Sequence, residues 1–102
     1  MSTDGTHPRH GLDEHLNSPV RLSIMAALAR VDDAEFSVVR DAISVSDSVL
    51  SKQIAVLESV GYIDAKKGYV GKRPRTWLSL TPTGRAALET HLSALRALIG
   101  GL

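Results

Sequence analysis

At 102 residues the chain is long enough for one domain and too short for two. Apolar residues make up 43% and charged residues 23%, the ordinary balance of a globular chain, and there is no cysteine. That excludes a disulfide scaffold, thiolate zinc sites, iron–sulfur ligation and a cysteine nucleophile. The apolar stretches are short and broken by charge, and residues 1–10 lack the apolar run of a secretory signal, so a cytoplasmic protein with no membrane segment is expected.

The net charge of +1 hides a strong asymmetry. Residues 1–65 hold five cations against ten acidic residues, whereas residues 66–75 hold Lys66, Lys67, Lys72, Arg73 and Arg75 with no acid. Positive charge gathered in one ten-residue segment is the first pointer to a polyanionic partner.

In chain order, residues 1–11 read as a disordered arm, and residues 12–17 as a short helix carrying Leu12 and Leu16 on one side. Ser18-Pro19 is a helix start: the hydroxyl can cap free N–H groups and proline suits the first helical position. Ile24, Leu28 and Val31 then follow the spacing of a buried helical stripe, with Arg21 one turn earlier on the same face. Asp32 and Asp33 are expected to end this helix and cap the next. A short helix over 36–43 places Phe36, Val39 and Ile43 on one face. Ser44-Val45-Ser46 forms a turn, and Ser46 caps a second helix over 47–60, with Asp47 at the positive end of its dipole and Gly61 closing it.

The period then changes. Residues 62–66 and 76–80 read as strands, joined through a long tip in which Gly68, Gly71 and Pro74 argue against a tight turn. Trp77 and Tyr62 are expected to anchor this hairpin in the core. Thr81-Pro82 repeats the Ser-Pro device and opens a last helix with Leu88, Leu92, Leu95 and Ile99 on one stripe and Leu98 beside it. The fold class is therefore mainly α with a small β-hairpin (α+β).

A short helix, a serine turn and a capped second helix make a helix-turn-helix pattern, whose second helix enters the DNA major groove. At about 100° per residue, Leu50, Ile54 and Leu57 fall on the core side of helix 47–60. Ser48 and Lys52 fall opposite, with Ser51 and Gln53 on the flanks and Val49 toward one edge. Ser46, Ser48, Val49, Ser51, Lys52 and Gln53 are the candidate recognition residues: hydroxyls reach bases or phosphates, Gln53 suits an adenine edge, Lys52 a guanine or phosphate, and Val49 a thymine methyl. Lys66, Lys67, Lys72, Arg73, Arg75 and Thr76 are the candidate contacts of the hairpin with the DNA backbone or minor groove.

These segments together resemble the winged-helix regulators of the MarR/ArsR type, in their short winged-helix DNA-binding domain group. The resemblance rests on Ser18 to Ile24, Phe36, Leu50-Ser51-Lys52-Gln53-Ile54, the run from Leu57 to Ile63, Lys72-Arg73-Pro74-Arg75-Thr76 and Leu80-Thr81-Pro82-Thr83-Gly84-Arg85. It implies a winged helix-turn-helix over residues 12–81, a dimerisation helix over 82–102, a homodimer bound to operator DNA and a role in transcription, as a repressor. Many members carry histidine where Gln53 stands. The ligand pocket of MarR proteins needs helices this chain mostly lacks, so no small-molecule effector is implied.

The last helix is long for so small a domain, and Leu88, Leu92, Leu95, Leu98 and Ile99, joined by Leu12 and Leu16, are the expected dimer interface. His7, His10 and His15 lack the carboxylate or thiolate support of a metal site, and Glu89 with His91 is too sparse for one, so neither metal nor cofactor is expected. No catalytic triad, phosphate loop or helical carboxylate pair is present, so the chain is not read as an enzyme. The rival reading is a winged helix that docks an acidic protein partner, against which stands the small, polar outer face of helix 47–60.

Overall fold

The computed structural model describes residues 7–100. Four α-helices and a three-stranded antiparallel sheet follow two short 3-10 helices: α1 (Pro19–Leu28), β1 (Ala34–Glu35), α2 (Phe36–Ala42), α3 (Asp47–Ser59), β2 (Ile63–Val70), β3 (Arg73–Leu80) and α4 (Pro82–Gly100). The strand order is β1-β3-β2. β2 and β3 pair along their whole length, from Ile63 opposite Leu80 to Val70 opposite Arg73, and β1 adds only Ala34 opposite Leu78 and Glu35 opposite Trp77.

Helix boundaries come from local chemistry. Ser18 Oγ accepts from Arg21 N at 3.2 Å, Ser46 Oγ from Val49 N at 3.2 Å and Thr81 Oγ1 from Gly84 N at 2.9 Å, each hydroxyl satisfying an N–H three residues on. Gly61, at φ 77°, ends α3: its N–H donates to Glu58 O at 3.0 Å and that of Tyr62 to Leu57 O at 2.9 Å, the paired bonds of a Schellman close.

The core gathers one face of each element. Leu16, Ile24, Met25, Leu28, Val39, Leu50, Ile54, Leu57, Ile63, Leu78 and Leu88 are all buried. The stripes expected on α1 and α3 are present except at Val31, which lies beyond the end of α1 and is exposed.

Several sequence expectations are corrected. Residues 1–6 of the expected arm lie outside the described residues, but Pro8–Gly11 form a 3-10 helix packed on α4, so close that a β-carbon on Gly11 would stand 3.0 Å from that of Ala94. The helix expected over 12–17 shrinks to a 3-10 turn, Glu14–Leu16, capped by Asp13. Asp32 and Asp33 cap nothing; the chain extends through β1, and Glu35 precedes α2 without a side-chain cap. The hairpin tip is tight: both strands run on to Val70 and Arg73, leaving Gly71 and Lys72 as a two-residue connection with Gly71 at φ 63°. Glycine in the first place of such a connection supplies the positive φ that lets the strands keep their twist. Trp77 is not a core anchor. It pairs opposite Lys66 on the face away from the core and covers Gly68, whose missing β-carbon would stand 3.0 Å from its ring. Tyr62, in contrast, packs against the core as expected.

Candidate nucleic-acid interface

α2 and α3 are joined through Ser44, the only described non-glycine residue with positive φ, at 58°. Arg40, on α2, donates from Nη1 to Asp47 Oδ1 at 2.8 Å and from Nε to Asp41 Oδ1 at 2.9 Å, clamping the start of α3 to α2. The bond to Asp41 first and that to Asp47 second hold the guanidinium charged, raising its pKa above its ordinary value. The same bond from Arg40 lowers the Asp41 carboxyl. The left-handed turn at Ser44 and the surface ion pair from Arg40 to Asp47 both connect α2 to the start of α3.

On α3, Leu50, Ile54 and Leu57 face the core, while Ser48, Val49, Ser51 and Lys52 are exposed. Ser46 and Ser48 share a hydroxyl contact of 3.2 Å at the first turn, so Ser46 serves as cap and as part of the polar rim. Gln53 lies on the flank of α3. It is half-buried, and its Oε1 accepts from Arg21 Nη1 at 2.8 Å. An amide oxygen has two lone pairs, so this bond leaves one of them, and the NH2 group, for a base edge.

β2 and β3 form the wing. Lys66, Lys67, Lys72 and Arg73 are exposed and have no carboxylate partner among the described residues. Arg75 differs: its Nε meets Glu35 Oε1 at 3.2 Å, folding the side chain back to β1, and both groups are about one-third exposed. Thr76 is half-buried opposite Lys67. A groove opens between the start of α2 and the wing, lined by Phe36, Ser37, Lys67, Tyr69 and Thr76 among others. At the tip Tyr69 and Val70 are exposed.

The sequence patterns match the winged helix DNA-binding domain model over residues 20–99, most of the chain. This chain belongs to that family. The winged-helix arrangement is also that of solved transcriptional regulators. A transcriptional regulator homologue from Pyrococcus horikoshii superposes with a TM-score of 0.81 at 34% identity, covering 87% of this chain and 88% of that one. The M. tuberculosis regulator MosR, solved in complex with DNA, shares the fold at a TM-score of 0.71 and 20% identity, over 95% of this chain and 69% of its own. An uncharacterised protein of Methanocaldococcus jannaschii is 29% identical over 76 residues, 74% of this chain and 83% of that one.

The expected dimer surface divides in two. Leu16 and Leu88 are 1% and 4% exposed, consumed by the winged helix's own core, and have no surface left for a second chain. Leu12, Leu92, Leu95 and Leu98 are half-buried and Ile99 is exposed. No three His, Cys, Asp or Glu side chains among the described residues converge as a metal site, and no described helix is long and apolar enough to cross a membrane.

Sequence reasoning missed one polar cluster. Asp13 joins the N-terminal segment to two elements: its N–H donates to His91 Nδ1 at 2.9 Å, and its Oδ2 accepts from the Tyr62 hydroxyl. His91 is 1% exposed, so it is a satisfied interior residue of α4. The one signal available was compositional: His91, a histidine among leucines.

Proposed function

We propose that this winged helix is a sequence-specific double-stranded DNA-binding repressor, acting as a homodimer on a near-palindromic operator in the cytoplasm. The carrying observation is the combination of α3's exposed Ser48, Val49, Ser51 and Lys52 with four wing cations that have no carboxylate partner among the described residues. Small side chains let a helix approach base edges, and the wing supplies phosphate affinity without sequence information. A two-fold dimer through Leu92, Leu95, Leu98, Ile99 and Leu12 sets two α3 helices about one DNA turn apart, ~34 Å. No catalytic role, cofactor or small-molecule effector is assigned.

The test is selection of bound sequences from a random duplex DNA pool at two salt concentrations. A two-fold-symmetric enriched site, bound more weakly at higher salt, is expected. Salt-sensitive binding without enrichment would reduce the protein to an architectural DNA binder, and no binding at low salt would favour docking of an acidic protein.

A further inference from the structure

In a helix-turn-helix the first helix crosses the phosphate backbone while the second enters the major groove. A DNA strand passing from α3 to the wing therefore runs along the start of α2, where the groove between α2 and the wing opens. Ser37, Lys67, Tyr69 and Thr76 line that groove with hydroxyls and a cation, the groups that phosphate contacts use. One acid stands among them. Glu35, the last residue of β1, also lines the groove, and its Oε1 lies 3.2 Å from Arg75 Nε.

An ion pair whose side chains are 34% and 29% exposed adds little to stability. Nor does Glu35 cap α2, which it precedes without a side-chain bond. What the carboxylate changes is charge. Arg75 Nη1 donates to the Pro74 carbonyl at 3.2 Å, and the guanidinium, with five N–H groups, still keeps donors for a phosphate. Its donors are not exhausted, but its charge is offset, and an approaching phosphate meets a carboxylate of its own sign. Affinity gained by releasing counterions depends on the positive charge offered to the backbone, so both effects weaken the binding of every duplex alike.

We propose that Glu35 is a built-in restraint on DNA affinity: its carboxylate, at the strand groove, offsets Arg75 and holds down backbone binding, leaving a larger share of the binding to the base contacts of α3. This rests on the reading that α3 lies in the major groove.

The experiment measures fluorescence anisotropy on two duplexes, one carrying the selected site and one unrelated, across a salt series. The proteins are wild type, Glu35→Gln, Arg75→Ala, the double variant and Asp64→Asn, each fold being checked by circular dichroism. Glu35→Gln keeps the size of the side chain and removes its charge. It is expected to bind both duplexes about three- to fivefold more tightly at low salt, and to steepen the slope of log affinity against log salt by about 0.9, one phosphate. Arg75→Ala is expected to take about 0.9 from the slope in the Glu35→Gln background and less in wild type. Asp64, an exposed acid of β2 with no ion pair among the described residues, controls for net charge, and Asp64→Asn is expected to gain less. Unchanged affinity of a folded Glu35→Gln, a gain confined to the selected site, an equal gain from Asp64→Asn, or an Arg75→Ala loss equal in both backgrounds would each overturn the proposal while leaving the regulator reading intact. A wild type that binds neither duplex would overturn both.

Discussion

Gly84 lies directly against the carbonyl of Tyr62: a β-carbon at position 84 would stand 2.1 Å from Tyr62 O and 2.8 Å from its carbonyl carbon. The contact joins the first turn of α4 to the chain just after α3. It is reinforced by Thr81, whose N–H donates to Tyr62 O at 3.0 Å and whose hydroxyl donates to Gly61 O at 2.5 Å. Because the opposing atoms are backbone, they cannot swing aside as a side chain would. Gly84→Ala is expected to destabilise the domain by about 3 kcal/mol, the upper part of the range for overpacking. For a domain of this size that lowers Tm by roughly 12–24 °C. A melting curve within a few degrees of wild type would show that the two turns are not rigidly apposed.

Ser44 offers the opposite experiment. An L-residue at φ 58° carries a penalty that glycine does not, and the Ser44 N–H bond to Asp41 O at 3.3 Å is made by the backbone. Ser44→Gly is expected to stabilise the protein by about 0.5–1 kcal/mol, the left-handed penalty less the extra entropy glycine gains when unfolded. Ser44→Val should destabilise it. Urea denaturation midpoints at unchanged slope measure both, and a lower midpoint for the glycine variant would contradict the strain.

Tyr62 gives a pH dependence of definite sign. Its hydroxyl donates to the Asp13 carboxylate, and that bond first, then burial and the carboxylate's charge, push its pKa up to about 12 from an ordinary 10.0. A folded-state pKa above the unfolded one means the bond's contribution is complete below pH ~10 and is lost as pH rises toward 12. Tyr62→Phe is therefore expected to be less stable than wild type at neutral pH, by about 1 kcal/mol. The gap should narrow through that alkaline window. A gap that is constant or widens with pH would rule the bond out.

The wing cations are not equivalent. Arg73 has no carboxylate partner among the described residues, whereas Arg75 is held by Glu35 at 3.2 Å. Arg73→Ala is expected to reduce the slope of log affinity against log salt by about 0.9, one phosphate contact. Arg75→Ala should reduce it by less. Equal slopes for the two variants, measured by fluorescence anisotropy on one duplex, would show that Glu35 releases Arg75 on DNA.

On the proposed homodimer reading, the outer turns of α4 carry assembly and its inner turns the fold. Ile99 is 67% exposed, while Leu88 on the same stripe is buried in the monomer. Leu98→Glu with Ile99→Glu is expected to halve the mass seen by sedimentation equilibrium, to the 10.9 kDa of one chain, with the helix content kept. A dimer that survives both substitutions would place the interface elsewhere.

What the sequence by itself determined is local. Caps at Ser18, Ser46 and Thr81, the stop at Gly61 and the stripe of Leu50, Ile54 and Leu57 depend on contacts within a few residues, so spacing alone reveals them. Exposure of Ser48 and Lys52 follows from the same wheel. Tertiary structure decided whatever joins distant segments. A two-residue strand such as β1 has no periodicity to detect and exists only because β3 offers it an edge. Burial of Leu16 and Leu88 in the monomer depends on the N-terminal segment reaching the core and α4, which no helical wheel contains. The states of Gln53 and Arg75, one tied to Arg21 across 32 positions and the other to Glu35, are set by partners far along the chain. Sequence spacing finds the face a residue belongs to; only the folded chain decides which of its donors and acceptors remain free for DNA.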